Sequence, residues 1–118
     1  MKHLTMYSID RAVALIKPKQ PYLNWANSLP DPTPITLEEL RKDGTAILVS
    51  EPEYKGDAET YIREIYLNIF EMELDAWHRD KRLWPSKRDY KTFTEWFDVE
   101  IYEIVIDSSE GEIKREVY

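Results

Sequence analysis

Few side chains in this chain can do chemistry near neutral pH. There are two histidines, His3 and His78, and no cysteine. Without cysteine there is no disulfide, no thiolate metal site and no thiol nucleophile. Acid–base work would fall to His78 or to a carboxylate of perturbed pKa. Glu71, Asp75 and His78 stand at i, i+4 and i+7, which sets them on one helical face. Such oxygen and nitrogen ligands suit a divalent metal, but helical metal sites draw ligands from several helices. His3 is far off in the chain, so the plainer reading is a solvated face with His78 near the helix C-terminus.

A second constellation is basic and aromatic. Residues 79–91 hold Arg79, Lys81, Arg82, Lys87, Arg88 and Lys91 against Asp80 and Asp89. That is +4 in a chain of net charge −7, so the remainder carries −11. Trp84 and Tyr90 interleave the cations. Cations beside aromatic faces suit an acidic protein, a small acidic ligand or a single-stranded nucleic acid. The overall negative charge disfavours nucleic acid and anionic membrane. The competing reading is that these cations face the protein's own carboxylates.

Two weaker sites remain. Lys17 and Lys19 flank Pro18 in the loop Lys17–Pro21, after an apolar strand, a common ligand position in α/β sheets. The loop has no glycine and so no phosphate-cradling nest. Glu95, Asp98, Glu100 and Glu103 could supply a carboxylate pair if burial drove two pKa values apart. They read more simply as a charged rim around Trp96 and Phe97. No nucleophile elbow, Walker loop, dinucleotide fingerprint or zinc-protease motif occurs.

The elements that must position these groups follow from periodicity. Ala58, Ile62, Ile65, Ile69, Met72 and Ala76 form a stripe at helical spacing. They predict a long helix over 57–78, with Asp57 as N-cap and Glu59 in the first turn. Ala12–Ile16 is apolar on both faces and predicts a central strand near 12–17, covered on both sides. Tyr22, Trp25, Ala26 and Leu29 predict a helix over 21–29, started by Pro21. Thr36 and Glu39 form a capping box, and Ile35 and Leu40 a hydrophobic staple. They predict a helix over 37–42, closed by Gly44 in a left-handed conformation. A second buried strand is expected at 45–50, a helix at 89–98 capped by Asp89, and a more exposed strand at 100–107. Residues 112–117 read either as a last strand or as a frayed end, and the first ten residues as a loose lead-in. The helical connections suggest parallel crossovers.

The fold class expected is α+β: one domain over 1–118, a three- or four-stranded mixed sheet with the first two strands inside, and the long helix on one face. With 42% hydrophobic residues the chain can build a core without staples. The first ten residues lack an apolar signal region, and no run is long enough to span a bilayer. A cytoplasmic protein is the expectation.

The segments Arg11–Trp25, Leu37–Val49 and Leu83–Ile101 together resemble a small family of uncharacterised bacterial proteins of about this length. The resemblance implies a bacterial cytoplasmic origin and no activity, cofactor or site residue. The leading functional expectation is a non-enzymatic module that binds a protein or small acidic ligand. It would use exposed aromatics and the basic segment: Arg79, Arg82, Trp84 and Arg88, with Trp96, Lys17 and Lys19. It calls for no cofactor, and the chain would be a monomer or a homodimer. The alternatives are a small enzyme with an aromatic-lined pocket and a carboxylate pair, and a homodimeric structural protein.

Overall fold

Burial alternates strictly along β2 (Arg11–Pro18): Ala12, Ala14, Ile16 and Pro18 are buried, and Val13, Leu15 and Lys17 half-buried. A period of two with one dry face marks a strand covered on one side. The computed structural model describes residues 3–50 and 57–118. In it β2 is the centre of a three-stranded sheet, flanked by β3 (Thr45–Ser50) and β4 (Phe97–Tyr102). The fold is α+β, as the sequence implies.

Strand direction differs from the parallel expectation, because both ladders are antiparallel. The parallel rule applies to a single helical crossover. Each connection here contains two helices: α1 (Gln20–Ser28) and α2 (Leu37–Lys42), then α3 (Ala58–Trp77) and α4 (Tyr90–Trp96). The first connection returns the chain antiparallel beside β2, and the second carries it across β2 to the opposite edge, so β3 and β4 run in the same sense. β3 is therefore an edge strand rather than an inner one. Its residues Ala46 and Leu48 are exposed, while Val49 is buried.

The helices lie on the face of Ala12, Ala14 and Ile16. α3 is capped by Asp57, whose carboxylate accepts from the Thr60 N–H at 2.9 Å. Its buried residues are Ala58, Ile62, Ile69, Phe70 and Leu74. The stripe turns away from Met72 and Ala76 toward Phe70, Leu74 and Trp77, because the second half of α3 faces aromatic side chains of α1 and α4. Tyr22 is the hub of that cluster. Its ring lies 5.3–6.3 Å from those of Trp25, Trp77, Trp96 and Phe97. Such edge and tilted contacts add to area burial.

α2 occupies the residues its capping box predicts, with the Glu39 N–H donating to Thr36 Oγ1 at 3.1 Å. Gly44 serves differently from expected. It is not left-handed; a Cβ there would stand 2.9 Å from the Ile16 carbonyl oxygen, so it permits close approach. Among the described residues the positive-φ positions are Asp31, at φ 52° in the proline-rich loop, and Gly111, at φ 92° in the exposed tail.

The last expected strand is broken. α4 ends at Trp96, and β4 starts at Phe97 and stops at Tyr102. β5 (Ile106–Asp107) then pairs with β1 (Tyr7–Ser8), so the supposed lead-in is tied down. Residues 108–118 contain no strand and are exposed. Among the described residues no helix is long and apolar enough to cross a membrane.

Candidate functional site

The twelve residues between α3 and α4 are held by side chains from several elements. His78 caps α3, its N–H donating to the Leu74 carbonyl at 2.8 Å. Asp80 then starts a 3-10 turn over Lys81–Leu83. Its carboxylate accepts from the Arg82 backbone N–H and from two guanidinium nitrogens of Arg82, at 2.9–3.1 Å. Those charge-assisted bonds to Arg82 hold the Asp80 carboxyl below the usual carboxylate range.

Two indoles fasten the turn to the body of the protein. Trp84 Nε1 donates to the His78 carbonyl at 2.7 Å, and Trp25 Nε1, from α1, donates to the Leu83 carbonyl at 2.9 Å. Trp25 is 8% exposed and Trp84 9%. The expectation of exposed tryptophans is thereby corrected. Trp77 and Trp96 are half-buried and pack against the core. Buried rings that can place an N–H on a carbonyl are more stable inside than on the surface.

The cations divide into two groups. Arg88 is drawn inward: its Nη1 donates to the Pro85 carbonyl at 2.7 Å, and its guanidinium lies 5.8 Å from the Trp84 ring. Arg88 Nε is 3.5 Å from Glu71 Oε2. At that length it is a charge contact rather than a hydrogen bond. Arg79, Lys81, Arg82 and Lys87 face solvent, with Leu83 among them, and so does Lys91 on α4. Lys81 Nζ also lies 5.8 Å from the Trp84 ring.

The structure brings Arg88 beside Trp84, keeps Arg79 and Arg82 exposed on the same loop, and leaves the other candidates elsewhere. Trp96 belongs to the aromatic core. Lys17 pairs with Glu100 at 3.1 Å, and Lys19 Nζ donates to the Thr94 carbonyl. Glu71, Asp75 and His78 are not gathered. His78 is extended, at φ −150°, so its position leaves the helical spacing. Its Nδ1 accepts from the Asp80 N–H, and Glu71 faces Arg88. Of the carboxylate run, Asp98 pairs with Arg41 at 2.9 Å and Glu100 with Lys17. Glu95 and Glu103 are exposed.

Comparison with protein-family models, curated proteins and solved structures gives no match.

Sequence reasoning missed the part played by Trp25, whose partner lies 58 positions away. Asp80 before Lys81 carried a local signal, since aspartate favours the start of a turn. It also overlooked a cleft of about 360 Å³ between α3, α4 and β4, whose lining includes Ile62, Tyr90, Phe93 and Phe97 with Glu59 and Asp98. Tyr90 and Phe93 lie on α4 and Phe97 on β4, so the gap opens where the helix passes into the strand, which residue spacing does not show.

Proposed function

We propose that this chain is a binding module that recognises an acidic protein segment through the loop between α3 and α4. The reading rests on one observation: two indole N–H groups, from Trp25 and Trp84, fasten a loop that displays cations to solvent. A loop ordered before binding loses less conformational entropy on contact, which raises affinity. The tryptophans act as pegs, and recognition falls to Arg79, Lys81, Arg82, Lys87 and Lys91, with Leu83 as an apolar contact. The −11 of the remaining chain confines an anionic partner to this patch.

Titration calorimetry with a glutamate-rich peptide tests this at low salt. Binding is expected, weakening as salt rises. The triple variant Arg79→Glu, Lys81→Glu, Lys87→Glu should weaken it about tenfold or more. No heat with the wild-type protein, or equal binding by the triple variant, sinks the reading. Tighter binding of a single-stranded RNA of the same charge would replace it with nucleic-acid recognition.

A second reading, a small enzyme, has the aromatic cleft of Glu59 and Asp98 in its favour. Against it, Arg41 holds Asp98 in an ion pair. A general acid needs a carboxyl less committed to a cation.

A further inference from the structure

The two outer strands of the sheet are chemically unlike. β4 carries Asp98 and Glu100. β3 reads Thr-Ala-Ile-Leu-Val-Ser, with no charge and no proline. Edge strands are ordinarily protected from pairing by charge, proline, bulges or a covering element. β4 has that protection, because its charged side chains hold ion pairs, Asp98 with Arg41 and Glu100 with Lys17, that an added strand would disturb. β3 has none in its own residues. Its inner edge pairs with β2 from Thr45 to Ser50. Among the described residues no backbone bond reaches it from any other element.

We infer that β3 pairs with β3 of a second copy, antiparallel about a two-fold axis, to make one continuous six-stranded sheet. An antiparallel strand pair is self-complementary, as a two-fold interface requires. Ala46 and Leu48 share the face opposite the helices, and Leu48 is 49% exposed. Register places Leu48 beside Val13, and Val13 beside Tyr102, which is 54% exposed. Pairing two β3 strands brings Ala46 and Leu48 of both copies within cross-strand reach, and joins two such apolar rows into one.

This surface is separate from the basic loop, so either proposal can fail without the other.

Light scattering on the full chain is the first test, and the expected mass is twice 14.1 kDa. The double variant Ala46→Lys, Leu48→Lys sets like charges across the axis at exposed positions. It should give the mass of one chain with an unchanged far-ultraviolet dichroism spectrum. The cysteine-free background allows a second test that does not weaken the interface. Single variants Ala46→Cys and Leu48→Cys should crosslink to dimers with a short bismaleimide, and Tyr102→Cys on the far strand should not. A wild-type mass of one chain, a double-lysine variant that stays dimeric, or crosslinking at Tyr102 in place of Ala46 and Leu48 overturns the inference.

Discussion

The indole N–H of Trp25 donates to the carbonyl of Leu83 at 2.9 Å, joining α1 to the basic loop across 58 positions of sequence. The bond is part-buried, with Trp25 8% exposed and its indole packed among the aromatic cluster. Removing the donor takes away the carbonyl's bond to α1. Trp25→Phe keeps a ring in place and removes the N–H. The expected cost is about 1 kcal/mol of stability. Amide exchange should quicken at Lys81–Trp84 and stay unchanged in β2. Equal exchange in the loop would mean that the peg does not hold it.

Glu73 of α3 points inward, and burial pushes its carboxyl above the ordinary range, partly offset by a hydrogen bond with Thr45. Its Oε1 is buried with no hydrogen-bond partner among the described residues. A carboxyl raised on folding favours the folded state while protonated in both states. That advantage fades as pH rises from the unfolded pKa through the folded one. Glu73→Gln should therefore melt higher than the wild type at neutral pH. The difference should shrink toward acid, below the ordinary carboxyl range. Thermal melts at neutral and acid pH check the sign; a variant less stable at neutral pH contradicts it.

The cap of α4 has the opposite dependence. Asp89 accepts from the Thr92 hydroxyl and N–H, and these bonds hold its carboxyl below the ordinary range. Stability from this cap is present above the unfolded pKa and is lost as pH falls through the folded one. Asp89→Asn keeps an acceptor that does not titrate, so its acid unfolding curve should be shallower than that of the wild type. Parallel curves would remove Asp89 from the acid transition.

Gly44 leaves no room for a side chain, since an added Cβ would sit 2.9 Å from the Ile16 carbonyl and 3.3 Å from that of Arg41. Both neighbours are backbone, so neither can rotate aside. Gly44→Ala should cost about 1–3 kcal/mol, the usual penalty of overpacking. Denaturant midpoints measure it, with an unchanged slope if the unfolded state is unaffected. A neutral or stabilising result would show that α2 and β3 can shift apart.

Tyr22 joins the core to α3 by donating its hydroxyl to the Glu73 carbonyl at 2.7 Å. Burial, with Glu73 adding to it, pushes this hydroxyl far up, so it stays a neutral donor. Tyr22→Phe should destabilise by about 1–2 kcal/mol, by orphaning that carbonyl. A calorimetric melt with no loss would show that solvent reaches the carbonyl.

Local chemistry in the chain was enough to place α2, α3 and β2. Thr36 with Glu39, Asp57 with Thr60, and the apolar run 12–16 act within a few residues, where spacing alone decides what touches. The same short range announced Asp89 as a cap and the cations of 79–91 as one cluster. What only the tertiary structure decided is everything that depends on distant partners. Whether Val13 and Leu15 lie under a helix depends on which face of the sheet the helices pack against, and they all settle on the side of Ala12, Ala14 and Ile16. Whether the loop that carries Trp84 is held in place depends on an indole from α1, 58 positions away. Burial is a property of the whole packed chain, so a tryptophan reads alike in sequence whether it binds a partner or holds a loop.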